Sequence, residues 1–105
     1  MGFHVMSDSV LREIQEWYLA QCDGDWEHSF GVTINTLDNP GWSLSVDLQG
    51  TNLESKPFDE LREDYETRLD WMICRKTGMK FEAAGGPEKL TDMIRIFLRW
   101  TVSTA

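Results

Sequence analysis

The chain has 105 residues, of which 41% are hydrophobic and 27% charged, a composition that fits one globular domain with one core. The formal net charge is −8, and residues 1–70 hold 15 acidic and four basic residues, whereas residues 71–105 hold three and six. An acidic surface repels phosphates, so nucleic acid is disfavoured as a direct partner and a basic protein is favoured. Two cysteines are too few for a disulfide scaffold, and no apolar run approaches the roughly 20 residues of a membrane span.

The first seven residues lack the basic and apolar regions of a signal peptide. We therefore expect residues 1–7 to be a loose leader, or residues added to the natural chain, ahead of a single domain over residues 8–105. The same reasoning predicts a cytoplasmic protein.

A first helix is predicted to begin at a capping residue, Asp8 or Ser9, because apolar residues recur at helical spacing from Val10 to Cys22. Asp23-Gly24 is expected to end this helix, since glycine accepts the left-handed backbone conformation common at helix ends.

A hairpin is predicted next. Residues 31–37 alternate as a strand, and residues 38–41, Asp-Asn-Pro-Gly, have the composition of a turn in which Gly41 takes a positive dihedral angle. From Trp42 to Gln49 apolar and polar residues alternate again, which is typical of a half-buried strand.

The segment 51–69 fits either a helix or a charged edge strand, and we favour the strand because charges at a sheet edge deter aggregation. Two further strands are predicted over residues 71–76 and around residues 81–83. A second helix is expected to have Pro87 in its first turn and to continue to Trp100. These elements predict an α+β fold: an antiparallel meander sheet of four to five strands with an N-terminal and a C-terminal helix packed on it. The predicted core comprises Trp42, Leu44, Val46, Ile73, Phe81, Ile94 and Phe97.

The loop after the first helix contains three carboxylates and a histidine. A calcium loop beginning at Asp23 would need glycine at its sixth position and glutamate at its twelfth, where the chain has His28 and Ile34. Histidine catalysis would depend on His28, beside Glu27, and adjacent side chains usually point apart. Cys22 lacks the basic surroundings that activate a nucleophilic thiol. We therefore predict no metal, no cofactor and no catalytic residue, and interpret the carboxylates as caps for backbone amides of the loop.

Trp26 lies within this acidic loop, where it has two interpretations. An aromatic residue there is either a lid on the core or an anchor for a binding partner.

Several spaced motifs together resemble the immunity protein 53 family of bacterial polymorphic toxin systems. The similarity extends from about Leu11 to Trp100. The motifs are C-D-G-D-W-E-H at residues 22–28, T-L-D-N-P-G-W at 36–42, D-W-M-I-C at 70–74, F-E-A-A-G-G-P at 81–87 and I-F-L-R-W at 96–100.

The resemblance implies a small cytoplasmic α+β protein, encoded beside a toxin, that binds the toxin and neutralises it without catalysis. The acidic composition independently favours a basic partner, such as a nuclease. The alternative is a small enzyme that uses Cys22 or His28. We predict a partner-binding site on the acidic loop, with the stretch from Asp59 to Asp70 as the alternative location. The predicted site residues are Asp23, Asp25, Trp26, Glu27, Asp38, Asp47 and Glu54.

Overall fold

The computed structural model describes residues 5–63 and 69–104. It contains three helices and five strands in these residues. The helices are α1 (Val5–Gln21), α2 (Trp26–Ser29) and α3 (Leu90–Val102). The strands are β1 (Val32–Leu37), β2 (Gly41–Asp47), β3 (Leu61–Glu63), β4 (Met72–Thr77) and β5 (Lys80–Gly85).

The strands form one antiparallel sheet in the order β1-β2-β5-β4-β3, with an N-terminal and a C-terminal helix packed on it. This confirms the predicted α+β fold and the β1–β2 hairpin, in which Val32 pairs with Val46 and Leu37 with Gly41. The strand order refines the prediction, because a continuous meander would place β3 beside β2, and β5 lies there instead. The segment between β2 and β3 passes beneath the C-terminal end of α3. There the Trp100 indole Nε1 donates a 2.8 Å hydrogen bond to the Pro57 carbonyl.

One face of the sheet carries the core. Helix α3 lies on this face, and α1 packs against α3 and adds Val10 and Ile14 to the core. The largest fully buried side chains are Phe81, Phe97, Leu44, Leu48, Leu53, Met93, Ile94, Val46 and Cys74.

Two predicted core residues are only partly buried. Trp42 packs against the edge of the core while its indole Nε1 donates a hydrogen bond to the Pro87 carbonyl at 2.9 Å. Ile73 lies on the opposite, uncovered face, because its neighbours Met72 and Cys74 have the inward-facing positions of β4. Assigning Ile73 to the core was therefore wrong.

The helix ends differ in part from the prediction. Helix α1 begins at Val5, so residues 5–7 are helical, while residues 1–4 lie outside the described residues. Ser9 does not begin the helix, and its hydroxyl donates to the Glu13 carboxylate at 2.8 Å. The end of α1 is as predicted, with Gly24 at a φ of +90°. Helix α3 begins at Leu90, because residues after Gly86 first form a turn in which the Lys89 amide donates to the Gly86 carbonyl at 3.1 Å.

The structure also tests the predictions for Gly41 and for the segment 51–69. Gly41 does not have a positive φ, so that prediction was wrong. The position instead excludes a side chain because a Cβ there would collide with the carbonyl oxygen of Gly85 on the neighbouring strand β5. Within the ambiguous segment, residues 61–63 form an edge strand as predicted. Residues 51–60 form turns and irregular backbone, so the strand prediction was wrong for them, and residues 64–68 lie outside the described residues.

Candidate functional site

The acidic loop is a closed turn held by two of its own carboxylates. Asp23 Oδ1 accepts hydrogen bonds from the backbone amides of Asp25 at 3.0 Å and Trp26 at 2.9 Å. The Glu27 carboxylate points back along the chain and accepts from the amides of Asp23 at 3.0 Å and Gly24 at 2.9 Å. Asp23 therefore satisfies amides at the start of α2, and Glu27 satisfies amides of the turn that follows α1.

These hydrogen bonds favour the ionised form of both side chains. The amide of Trp26, followed by that of Asp25, holds the pKa of the Asp23 carboxyl below its ordinary 3.8. The pKa of Glu27 is held below its ordinary 4.5, chiefly by its own backbone amide and then by the amides of Asp23 and Gly24. Both side chains thus keep their negative charges at neutral pH while stabilising the loop.

Trp26 ties the acidic loop to the body of the protein. Its side chain is only 6% exposed, and its indole Nε1 donates a 2.7 Å hydrogen bond to the carbonyl of Gln49. Its ring packs edge-on to Trp17, with centroids 6.1 Å apart. Of the two interpretations, the lid on the core describes this ring, because its contacts are made within the protein and little of its surface is open to a partner.

Two other predicted carboxylates, those of Asp47 and Glu54, lie close to the acidic loop. Asp47 Oδ2 accepts from the Gly31 amide at 3.0 Å, and Asp47 Oδ1 lies 3.0 Å from the Lys80 ammonium. Glu54 Oε2 accepts from the amide of Gly50 at 2.6 Å, which closes the turn after β2. Gly50 in turn lies against the Trp26 ring.

The structure thus brings most of the predicted site to one end of the sheet. We call this region, formed by residues 22–31, residues 47–54 and the β4–β5 turn, the acidic end. The predicted residues that lie in it are Asp23, Asp25, Trp26, Glu27, Asp47 and Glu54.

Asp38 does not belong to the acidic end. It follows Leu37 in the turn of the β1–β2 hairpin, whereas Asp47 and Gly31 lie at the open end of the same hairpin. A strand of this length separates them by roughly 20 Å. The structure therefore separates Asp38 from the other predicted site residues, because the turn of a hairpin lies at the opposite end from the residues that begin and end it.

The alternative acidic stretch, Asp59 to Asp70, is divided between the two ends. The exposed Asp59 and Glu60 follow Lys56, whose carbonyl accepts from Lys76 near the end of β4, so they lie on the side of the acidic end. Asp70 lies at the other end, next to Trp71, whose carbonyl accepts from the Gly86 amide at 3.0 Å. Residues 64–68 lie outside the described residues.

The two cysteines and His28 differ in burial and in their contacts. Burial, and then the charge of Glu63, raise the pKa of the Cys74 thiol to about 12, which keeps this thiol protonated and unreactive at neutral pH. Cys22 is half-buried, and its Sγ donates to the Tyr18 carbonyl at 3.3 Å. His28 is exposed in the short helix α2. Among the described residues, no three His, Cys, Asp or Glu side chains are grouped to hold a metal ion.

The comparison with known families covers nearly all of this architecture. The profile of immunity protein 53 matches residues 11–102, which extend from α1 to the last residue of α3. The chain belongs to the immunity protein 53 family. The motif-based resemblance is thereby confirmed, and the family assigns an immunity role. Neither a curated protein nor a solved structure matched the chain. Within residues 5–63 and 69–104, no helix combines the length and apolar character needed to cross a membrane.

Proposed function

We propose that this chain is a cytoplasmic immunity protein that binds a cognate bacterial toxin domain and neutralises it by occupying the toxin's surface, without catalysis. The observation that carries the proposal is the family match over residues 11–102. Because the match includes the loop, the sheet and α3, it concerns the whole fold rather than one shared motif.

The charge of the chain supports a basic toxin as the partner. A net charge of −8 on a chain of 105 residues creates a field that attracts a basic protein and accelerates its approach. Toxins that cleave nucleic acid need basic surfaces to bind phosphates, so a nuclease domain is the class of toxin that we propose.

The acidic end is the contact surface that we propose. Its carboxylates are fixed by hydrogen bonds to backbone amides, as for Asp23 and Glu27, so little further ordering is needed when a partner binds. The exposed Asp25 lies between them and adds charge to the same surface. A rigid group of negative charges is attracted to the basic surface on which a nuclease binds phosphates.

The test uses the toxin domain encoded by the neighbouring gene. We expect co-expression of this chain to restore growth of cells that express the toxin, and the two purified proteins to form a one-to-one complex at low salt. Purified proteins that do not associate at low salt would contradict the proposal.

A variant separates binding from catalysis. A Cys22→Ser, His28→Ala double substitution should still protect cells, because it removes both candidate catalytic side chains but none of the carboxylates through which the acidic end is proposed to bind the toxin. Loss of protection by a folded double variant that still binds the toxin would instead favour an enzyme.

A further inference from the structure

Strand β1 forms an unusually open edge of the sheet. Its sequence, Val-Thr-Ile-Asn-Thr-Leu, has no charge and no proline, and its pairing with β2 has no bulge. No strand in the described parts of the chain pairs with its outer side, and residues 33–36 are exposed. The opposite edge differs, because in β3, described over Leu61–Glu63, two residues, Arg62 and Glu63, are charged. Short, charged edge strands resist pairing with other chains, whereas long uncharged ones invite it.

The backbone groups available at this edge follow from the pairing of β1 with β2. The Asp47 amide donates to the Gly31 carbonyl at 3.0 Å, so the backbone of Gly31, the residue before β1, is directed toward β2 as in a hydrogen-bonded position of the ladder. Hydrogen-bonded and non-hydrogen-bonded pairs alternate in antiparallel sheets. The amide and carbonyl groups of Val32, Ile34 and Thr36 therefore point away from β2, toward the open edge.

We propose that this edge pairs with β1 of a second copy of the chain, in antiparallel orientation around a two-fold axis at Ile34. In this register Ile34 lies opposite Ile34 of the second copy, and Val32 lies opposite Thr36. Every outward amide then meets an outward carbonyl, and inward-facing side chains stay on the same face of one sheet that continues through both copies. A register shifted by one residue would place the two helix-covered faces on opposite sides.

The charge of the chain restricts the surface on which a second copy can bind, and the length of the strand limits the strength of the contact. Two chains of charge −8 repel each other, so their contact requires an uncharged surface, and β1 is a strand without charge. In the proposed register Asp38 lies opposite Phe30 of the second copy, and no two acidic residues face each other. The contact of a single strand is smaller than the roughly 1,600 Å² of a standard interface, so the dimer should be weak and concentration-dependent. This proposal is independent of the toxin.

The side chain at the axis also favours this pairing. Ile34 is 40% exposed, on the helix-covered face of the sheet but beyond the core. Cross-strand contact between two such side chains removes apolar surface from water at the centre of the contact. Because position 34 faces itself, any substitution there is made on both sides at once.

The experiment measures the molecular mass of the full chain by sedimentation, from low micromolar to millimolar concentration. We expect the mass to rise from monomer toward dimer. Ile34→Lys and Ile34→Glu should each weaken dimerisation by roughly tenfold or more, because like charges would lie directly opposite each other. An equal mixture of the two variants should restore the dimer. Ile34→Pro should also abolish it, since it removes an outward amide and leaves the bonds to β2 intact.

Controls establish that each variant is folded and that charge alone is not the cause. Each variant should keep the circular dichroism spectrum of the original chain, and Thr91→Lys, an equal charge change on an exposed position of α3, should dimerise as the original chain does. A monomer at all concentrations, an unchanged dimer in Ile34→Lys, or a mixture that stays monomeric would overturn the proposal. So would a monomeric chain whose affinity for the toxin falls in Ile34→Pro, because the toxin would then be the occupant of this edge.

Discussion

Glu27 accepts a hydrogen bond from the backbone amide of Asp23 at 3.0 Å, while the Asp23 carboxylate accepts from the amide immediately before Glu27, that of Trp26, at 2.9 Å. The two acidic side chains thus close the loop from opposite directions. Negative charge in this loop therefore stabilises the fold, in addition to any contact that it makes with a partner.

The first prediction concerns the pH dependence of stability. The pKa values of Asp23 and Glu27 are lowered in the folded state, so their stabilisation is fully present above their ordinary values of 3.8 and 4.5 and is lost as the pH falls through the lowered values. We expect an Asp23→Asn, Glu27→Gln variant to melt at a lower temperature than the original chain at pH 7. Its melting temperature should then fall less between pH 7 and pH 3. Thermal unfolding followed by circular dichroism measures both quantities.

Asp25→Asn is the matched control for that measurement. It removes one carboxylate from the same exposed loop without removing a hydrogen bond that closes it. A control that lost as much stability as the double variant would show that the charge of the loop, rather than its hydrogen bonds, is responsible.

The second prediction compares Gly41, the first residue of β2, with Gly31, which precedes β1. A Cβ at Gly41 would collide with the Gly85 carbonyl oxygen, whereas a Cβ at Gly31 has no heavy atom within 4 Å. We expect Gly41→Ala to destabilise the protein by about 1–3 kcal/mol, since the β2–β5 pairing must shift. Gly31→Ala should have little effect. Chemical denaturation of both variants tests this, and equal effects would contradict the steric explanation.

The hairpin shows where sequence patterns suffice and where they do not. Alternation and turn composition predict β1, β2 and their connection, because these depend on residues that are neighbours in the chain. The need for glycine at position 41 arises from Gly85, which lies on a strand that is distant in sequence and adjacent in space. The turn composition predicted a need for glycine at position 41 and attributed it to the local backbone conformation. The need arises instead from a contact between two strands.

Strand β4 shows a second limit. Apolar residues alternate on both faces of β4 and of the residue before it, Trp71 and Ile73 on one face and Met72 and Cys74 on the other. Alternation alone cannot decide which face the helices cover, so Ile73 was assigned to the core although Met72 and Cys74 are buried. The decision depends on register with β5, where Cys74 pairs with the buried Ala83.

The third prediction concerns Lys76, which is directed toward the interior. Its ammonium donates to the carbonyls of Leu53 at 3.2 Å, Glu54 at 2.7 Å and Lys56 at 2.8 Å, and so fixes the crossing segment under Trp100. Lys76→Met keeps the length of the side chain but leaves these carbonyls without their donor. We expect a loss of about 1–3 kcal/mol of stability. Lys80→Met, which removes an exposed ion pair with Asp47, should cost about 0–1 kcal/mol.

That measurement requires the free energy of unfolding from denaturant titration of both variants. Similar losses for the two lysines would mean that the carbonyls bonded by Lys76 find water or other donors when the ammonium is removed.

Only part of the candidate site could be predicted from the sequence. The concentration of carboxylates after α1 is visible in the sequence, and the prediction that some cap backbone amides agrees with the hydrogen bonds of Asp23 and Glu27. The roles of Asp47 and Glu54 depend on partners, Gly31, Lys80 and Gly50, that only the fold and the loop geometry reveal.

The fourth prediction locates the toxin contact by comparing two exposed carboxylates at opposite ends of the β1–β2 hairpin. Asp25 lies at the acidic end and Asp38 in the turn at the other end, and each changes the net charge equally when replaced by asparagine. If the toxin binds the acidic end, Asp25→Asn should slow association a few-fold at low salt, because it weakens the attraction that steers a basic partner. The difference should fade at physiological salt and above, where charges are screened over about 8 Å. Stopped-flow or surface-based kinetics at two salt concentrations provide the measurement.

Asp38→Asn serves as the control and as the opposing hypothesis. Located roughly 20 Å from the acidic end, its side chain should affect association much less than Asp25 does, although the total charge of the two variants is identical. Both should melt at the temperature of the original chain, because neither carboxylate closes the loops of the acidic end. If Asp38→Asn slowed association and Asp25→Asn did not, the contact would lie at the hairpin turn, near Asp70 and the start of α3, and the acidic end would serve only the fold.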